Sequence, residues 1–155
     1  MVKGPHMKIC LAASAGGHMS QLLSIKAGIT CPDYFFVTTT PVMQEKLRQS
    51  GKVYIVGECN YQHPWKVIKV FVRCLRIALV ERPHIVISTG AAAGCMMCFL
   101  GKLLTARVIW LDSITNVDRL SLSGRMVRHI ADLFLVQWPE LANTYRRVEF
   151  AGAVI

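Results

Sequence analysis

The chain has 155 residues, 53% hydrophobic and 17% charged, with 18 Lys and Arg against 9 Asp and Glu for a formal charge of +9. That length suits one domain with a sizeable core, and the composition excludes a disordered chain. No apolar run reaches about 18 residues, so neither a membrane-spanning helix nor a secretory signal is expected, while the excess of cations favours an anionic partner.

From the N-terminus, residues 1–6 have the look of a tag remnant and Met7 of a native start, so one domain is expected over 7–155. Short β-rich apolar runs follow at 8–13, 34–39, 53–57, 84–89, 107–112, 133–137 and 148–151. Helical patterns lie between them at 19–27, 42–50, 64–81, 91–104, 123–131 and 139–146. Strands that are apolar nearly throughout, alternating with helices, predict an α/β fold, a Rossmann-like doubly wound and mostly parallel sheet covered on both faces.

In such sheets ligands bind beyond the carboxyl ends of the strands. Three small-residue or polar loops fall there: SAGGH after the first strand, STGAAAG after the fourth and DSITNVDRLSLSGR after the fifth. Gly16 and Gly17 permit close backbone approach, and a helix starting beside them directs free N–H groups at an anion. Ser88, Thr89, Gly90 and Gly94 supply a second loop of that kind. Neither loop carries the glycine spacing of a dinucleotide site or a Walker lysine, so no cofactor is expected. His18 is either an ordinary residue of the first helical turn, a donor to phosphate or a general base.

Asp112 ends the fifth strand, where such folds often present a carboxylate. Asn116, Arg119, Ser123 and Arg125 make the loop after it polar and cationic, with Ser123 the expected cap of the next helix. The second carboxylate of a two-carboxylate hydrolase is missing, as is a nucleophile elbow. His63, His84 and His129 lack supporting spacing and read as structural. Six scattered cysteines suit a reduced chain. Cys95 and Cys98 form one CxxC inside a helical pattern, poor support for a zinc or redox site, and no metal is expected.

Between Pro64 and Pro83, Lys66, Lys69, Arg73 and Arg76 recur at intervals of three and four along one helical stripe. Trp65, Ile68, Val72, Leu75 and Leu79 are expected around the opposite side, with Val67, Val70 and Phe71 widening the apolar arc. The pattern fits a sheet-packing helix with a solvated basic face, and also a helix lying on an anionic membrane surface.

Taken together, SAGGH, ISTGAAAG, LDSITNVDRLSLSGR, ADLFLVQWPEL and FAGAVI make residues 7–155 resemble the acceptor-binding subunits of two-subunit GT-B glycosyltransferases. These are the Alg-fourteen subunit of the dolichol-linked GlcNAc transferase and the bacterial PssD-like exopolysaccharide proteins. The chain is more distantly similar to the N-terminal half of the peptidoglycan transferase MurG. The resemblance implies one half of a GT-B enzyme, inactive alone, acting with a donor-binding partner that holds the UDP-sugar. Its acceptor would be a polyprenyl-diphosphate-linked sugar, and its place the cytoplasmic face of a membrane, held peripherally because the eukaryotic pattern's N-terminal anchor is missing here.

The resemblance also implies that Gly16, Gly17 and His18 line the acceptor diphosphate, with His18 or Asp112 catalytic. Ser88, Thr89, Gly90 and Gly94 would form the second acceptor loop. Asp112 stands where many relatives have Glu, and Arg125 where many have Lys. Trp65, Lys66, Lys69, Arg73 and Arg76 are the expected membrane contacts. A non-catalytic nucleotide- or phosphate-binding module is the alternative. It gives the basic helix and the fifth loop no task. Nucleic acid is not an expected partner, because aromatic residues are not interleaved with the basic run.

Overall fold

Seven strands form one sheet: β1 (Ile9–Ala12), β2 (Tyr34–Thr38), β3 (Lys52–Ile55), β4 (Ile85–Ser88), β5 (Arg107–Leu111), β6 (Leu133–Val136) and β7 (Glu149–Phe150). The strand order is β3-β2-β1-β4-β5-β6-β7 and every neighbouring pair is parallel. This computed structural model describes residues 7–60 and 62–154. The expected tag remnant at 1–6, and Ile155 at the end of the FAGAVI motif, lie outside them.

Period-two alternation divides the central strands between two cores. Ile9, Leu11, Phe36 and Ile87 face one side, where Met19 and Leu22 of α1 (Gly17–Lys26) and Leu47 of α2 (Gln44–Arg48) cover them. Cys10, Phe35, Val37, Val86 and Trp110 face the other, under α3 (Pro64–Glu81), α4 (Ala91–Leu103), α5 (Leu122–Val127) and α6 (Pro139–Thr144). Each fully buried Leu or Phe side chain contributes about 1.5–3 kcal/mol. Burial on both faces is why these strands read as unbroken apolar runs.

Helix α3 has the expected bounds because both ends carry local signals. Pro64 opens it, and Arg82 closes it in the left-handed region, φ 43°, its N–H donating to the Ala78 carbonyl just before Pro83. Other ends moved. The expected helix at 42–50 is a 3-10 turn, Pro41–Met43, followed by the short α2. The cap of α5 is Ser121, whose hydroxyl accepts from the Gly124 N–H at 2.8 Å, not Ser123.

The orientation of α3 also corrects the sequence reading. Val70, Cys74, Ile77, Ala78 and Glu81 face the sheet. Trp65, Ile68, Val72 and Leu79 are exposed and lie beside the basic stripe rather than opposite it. Arg73 is withdrawn from that stripe by its bond from Nη1 to the Val56 carbonyl at 2.8 Å.

The buried Glu81 ties the C-terminus of α3 to the sheet. It accepts from Lys52 Nζ and Tyr54 Oη on β3, and from Lys8 Nζ at 3.1 Å. Burial alone would raise its pKa, but the bonds from Lys52, Tyr54 and Lys8 outweigh it and hold the carboxyl down at about 2, from an ordinary 4.5. A depressed folded pKa stabilises the fold above the unfolded value, and that stabilisation is lost as pH falls from about 4.5 towards 2. We expect Glu81→Gln to lower stability at pH 7 by about 1.5–3 kcal/mol, the range for hydrogen bonds to a charged group. Urea unfolding across pH 2–7 should show the variant losing less stability than wild type below pH 4.5. An unchanged acid slope would remove Glu81 from the acid response.

Candidate functional site

The strand order reverses direction between β1 and β4: β2 and β3 extend one way from β1, and β5 to β7 extend the other way from β4. A crevice therefore opens beyond the carboxyl ends of β1 and β4, between the loops that lead into α1 and α4. The pairing Ala12↔Ser88 brings those ends level.

Two reciprocal bonds clamp the loops together. His18 Nδ1 lies 2.8 Å from the Thr89 carbonyl, and Thr89 Oγ1 donates to the His18 carbonyl at 2.6 Å. A carbonyl can only accept, so Nδ1 carries the proton. In the neutral imidazole Nε2 then holds the lone pair, and it has no hydrogen-bond partner among the described residues. The ring is half-exposed and rests on Gly90. A Cβ there would meet His18 Cε1 at 2.4 Å, and φ is 146° at that position, so both space and backbone require glycine.

The remaining residues of these loops divide by exposure. Gly16, at φ 94°, and Gly17 are exposed at the start of α1. Ser88 and Thr89 are buried. Gly94 is a packing residue, since a Cβ there would lie 2.1 Å from Ser88 Oγ and 3.1 Å from the Ala12 carbonyl. It lets α4 approach β1 and β4 and does not face the crevice as a binding group.

Asp112 is 1% exposed and fully engaged. Oδ1 accepts from Trp110 Nε1 at 3.1 Å and Ser121 Oγ at 2.6 Å; Oδ2 accepts from Asn116 Nδ2 at 3.2 Å and the Ser121 N–H at 2.9 Å. The carboxylate folds the loop over the end of β5 and sets the cap of α5. Arg119 and Arg125 are exposed, and no ion pair involves them among the described residues.

Gln137 was not singled out from the sequence, although it lies within VQWP. It is buried, donates to the Asp112 carbonyl at 3.0 Å and accepts from the Val154 N–H at 2.8 Å. Its amide nitrogen also lies 3.5 Å from Gln21 Oε1 on α1. Trp138 Nε1 donates to the Ile114 carbonyl at 2.7 Å. The polar identity of residue 137 at the end of an apolar strand was the available signal.

Beside the clamp lies a polar cleft of about 380 Å³, lined by Ser14, Thr39 and Ala91–Ala93 together with Glu58, His63 and Lys66. His63, expected to be structural, thus faces this opening. Cys95 and Cys98 are buried thiols; burial pushes Cys95 up to about 11 and also raises Cys98 well above the ordinary thiol range. Among the described residues no three His, Cys, Asp or Glu side chains converge on a possible metal site, and no helix is long and apolar enough to cross a membrane.

Comparison with known proteins bears on this geometry. The chain is 39% identical to the UDP-N-acetylglucosamine transferase subunit ALG14 of Eremothecium gossypii, over 99% of this chain and 82% of that one. It is 35% identical to the protein of the same name from Yarrowia lipolytica, over 55% of this chain but 42% of that protein. The crystal structure of Acinetobacter baumannii MurG superposes with a TM-score of 0.72 at 14% identity, over 93% of this chain and 45% of that one. That likeness shows a shared Rossmann-like fold. Residues 37–154 match the family described as oligosaccharide biosynthesis protein Alg14 like, and the chain belongs to that family.

Proposed function

We propose that this chain is the acceptor-binding half of a two-subunit glycosyltransferase of lipid-linked oligosaccharide assembly. It would receive a polyprenyl-diphosphate-linked sugar while a partner subunit holds the UDP-sugar. The names of its relatives, each a UDP-N-acetylglucosamine transferase subunit, support GlcNAc as the transferred sugar. The observation that carries the reading is the clamped imidazole at the head of a helix, whose lone-pair nitrogen has no partner among the described residues. A split enzyme is supported by the relatives' names, each of which calls the protein a transferase subunit.

In this reading the acceptor hydroxyl attacks the anomeric carbon of the donor sugar. His18 Nε2 takes the hydroxyl proton as the carbon–oxygen bond to UDP breaks and the nucleotide leaves. The Thr89 carbonyl stabilises the imidazolium that forms and fixes the ring's direction. The exposed amides at Gly16 and Gly17 are suited to the acceptor diphosphate, and Arg119 and Arg125 supply cations near the same edge of the sheet. Asp112, with four donors on its carboxylate, acts by positioning its loop rather than as the base. The membrane contact falls on Trp65 (81% exposed), Ile68 and Phe71 beside Lys66, Lys69 and Arg76.

Reconstitution tests the reading. The chain with its donor-binding partner is expected to transfer GlcNAc from UDP-GlcNAc to a polyprenyl-diphosphate acceptor, and the chain alone to show little turnover. His18→Ala should lower kcat by about 10²–10⁴-fold with partner binding intact. A raised KM at unchanged kcat would instead make His18 a phosphate contact.

Asp112→Asn presents an amide that can accept on only one side, so two of the four donors lose their acceptor. At about 1–3 kcal/mol for a buried unsatisfied group, a loss of at least about 2 kcal/mol is expected in urea unfolding. Amide exchange should accelerate across residues 113–124 first. Unaltered exchange there would show that the loop is held by other contacts.

Changing Lys66, Lys69 and Arg76 together to Gln should reduce flotation with anionic vesicles about 100-fold at low salt. Each basic side chain near such a surface is worth about 1 kcal/mol, and salt screens the contribution. Equal flotation of variant and wild type would remove this stripe from the contact.

A further inference from the structure

An apolar trough of about 450 Å³ runs between α3, α4 and α5. Its walls include Met96 and Phe99 on α4 and Leu122 and Met126 on α5. Leu122 and Met126 stand one helical turn apart and are 67% and 51% exposed, so the trough is open along one side. Its volume is in the range of small-molecule sites, about 300–1,000 Å³.

Its two ends distinguish it from an incidental gap in packing. At one end Phe71 belongs both to the trough and to the exposed arc of α3 that carries Trp65 and Ile68. At the other, Cys59 and Ala92 line both the trough and the polar cleft at the head of α4. The exposed arc, the trough and the polar cleft are therefore contiguous, joined by shared side chains. An occupant of the whole path is apolar for most of its length and polar at one end.

We propose that the trough seats the isoprene units nearest the acceptor's diphosphate, leading the hydrocarbon from the bilayer contact on α3 to the crevice. The inference rests on the transferase reading above. A nucleotide-sugar has no apolar stretch to fill the trough, and a packed protein helix needs no polar cleft beyond Cys59 and Ala92. Methionines suit a branched chain because their flexible thioethers adapt to irregular shapes.

Binding to the full chain tests this without membranes. Inorganic diphosphate and farnesyl diphosphate are titrated separately, the latter below its micelle concentration. Farnesyl diphosphate is expected to bind at least 10-fold more tightly. The double variant Leu122→Ser, Met126→Ser changes exposed positions, so it should fold with an unchanged Tm and bind inorganic diphosphate as wild type does. Its preference for the farnesyl compound should fall below threefold. Trp65→Ser with Ile68→Ser, which alters the membrane arc alone, should retain the full preference. A photoreactive farnesyl diphosphate is expected to label the α4 peptide containing Met96 and Phe99.

Failure to bind farnesyl diphosphate, equal affinity for the two compounds, an undiminished preference in the Leu122, Met126 variant, or labelling away from α4 would each overturn the proposal. A complex that transfers sugar equally well to lipid-linked and water-soluble acceptors would overturn the trough and leave the transferase reading standing. A farnesyl preference without transfer by the reconstituted complex would overturn the transferase reading instead.

Discussion

Two hydrogen bonds between His18 and Thr89 hold together the loops on which the candidate site depends. In a parallel sheet that extends both ways from its centre, the loops after β1 and β4 diverge onto opposite faces. A tie across that divergence gives the crevice a fixed floor. The backbone carbonyls and one side chain from each loop make the tie, so neither loop shifts without releasing the other. A typical hydrogen bond contributes about 1 kcal/mol net, enough to set a loop position but too little to decide folding. The same bond selects the imidazole tautomer, and so architecture and chemistry meet in one contact.

A second constraint is the close approach of α4 to the sheet. Gly94 removes the side chain that would strike Ser88, and the helix head then lies beside the clamp. On the far side of α4, α5 starts where Asp112 and Ser121 place it. The trough and the polar cleft are the spaces left between helices whose heads are held at these two points. A change at Asp112 therefore reaches the trough through α5, without any contact of its own there.

The positive charge separates into cations with structural tasks and cations facing solvent. Lys8 and Lys52 are bound to Glu81, Lys102 to Asp132, and Arg73 to a backbone carbonyl. Arg128 lies over the Tyr145 ring and donates to the Arg146 carbonyl. Lys66, Lys69, Arg76, Arg119 and Arg125 have no ion pair among the described residues. Four of those five lie on α3 or in the loop after β5, and Arg125 lies on α5. Some of the cations left without an ion pair thus lie on elements that border the cleft and the trough, while Lys46, Arg48, Arg82, Arg107, Arg146 and Arg147, also exposed and without an ion pair among the described residues, lie elsewhere on the surface.

The sequence by itself determined the α/β alternation, the strand positions and the bounds of α3, because these follow from local periodicity and from Pro64 and Pro83. It also placed SAGGH, STGAAAG and the loop after Asp112 at strand ends, since chain direction in a parallel sheet assigns every such loop to one edge. Helix rotation was not legible. With apolar residues on most sides of α3, no local rule distinguishes the face buried by Val70, Cys74 and Ile77 from the exposed face of Trp65 and Ile68. The identity of the α5 cap was equally undetermined, because Ser121 and Ser123 are both good caps and only the carboxylate of Asp112 chooses between them. His18, Asp112 and Gln137 acquired their settings through partners 71, 9 and 25 residues away. Such contacts exist only once the sheet has assembled, and that is why tertiary structure alone decided which polar side chain keeps an unpartnered atom among the described residues and which is bonded into the frame.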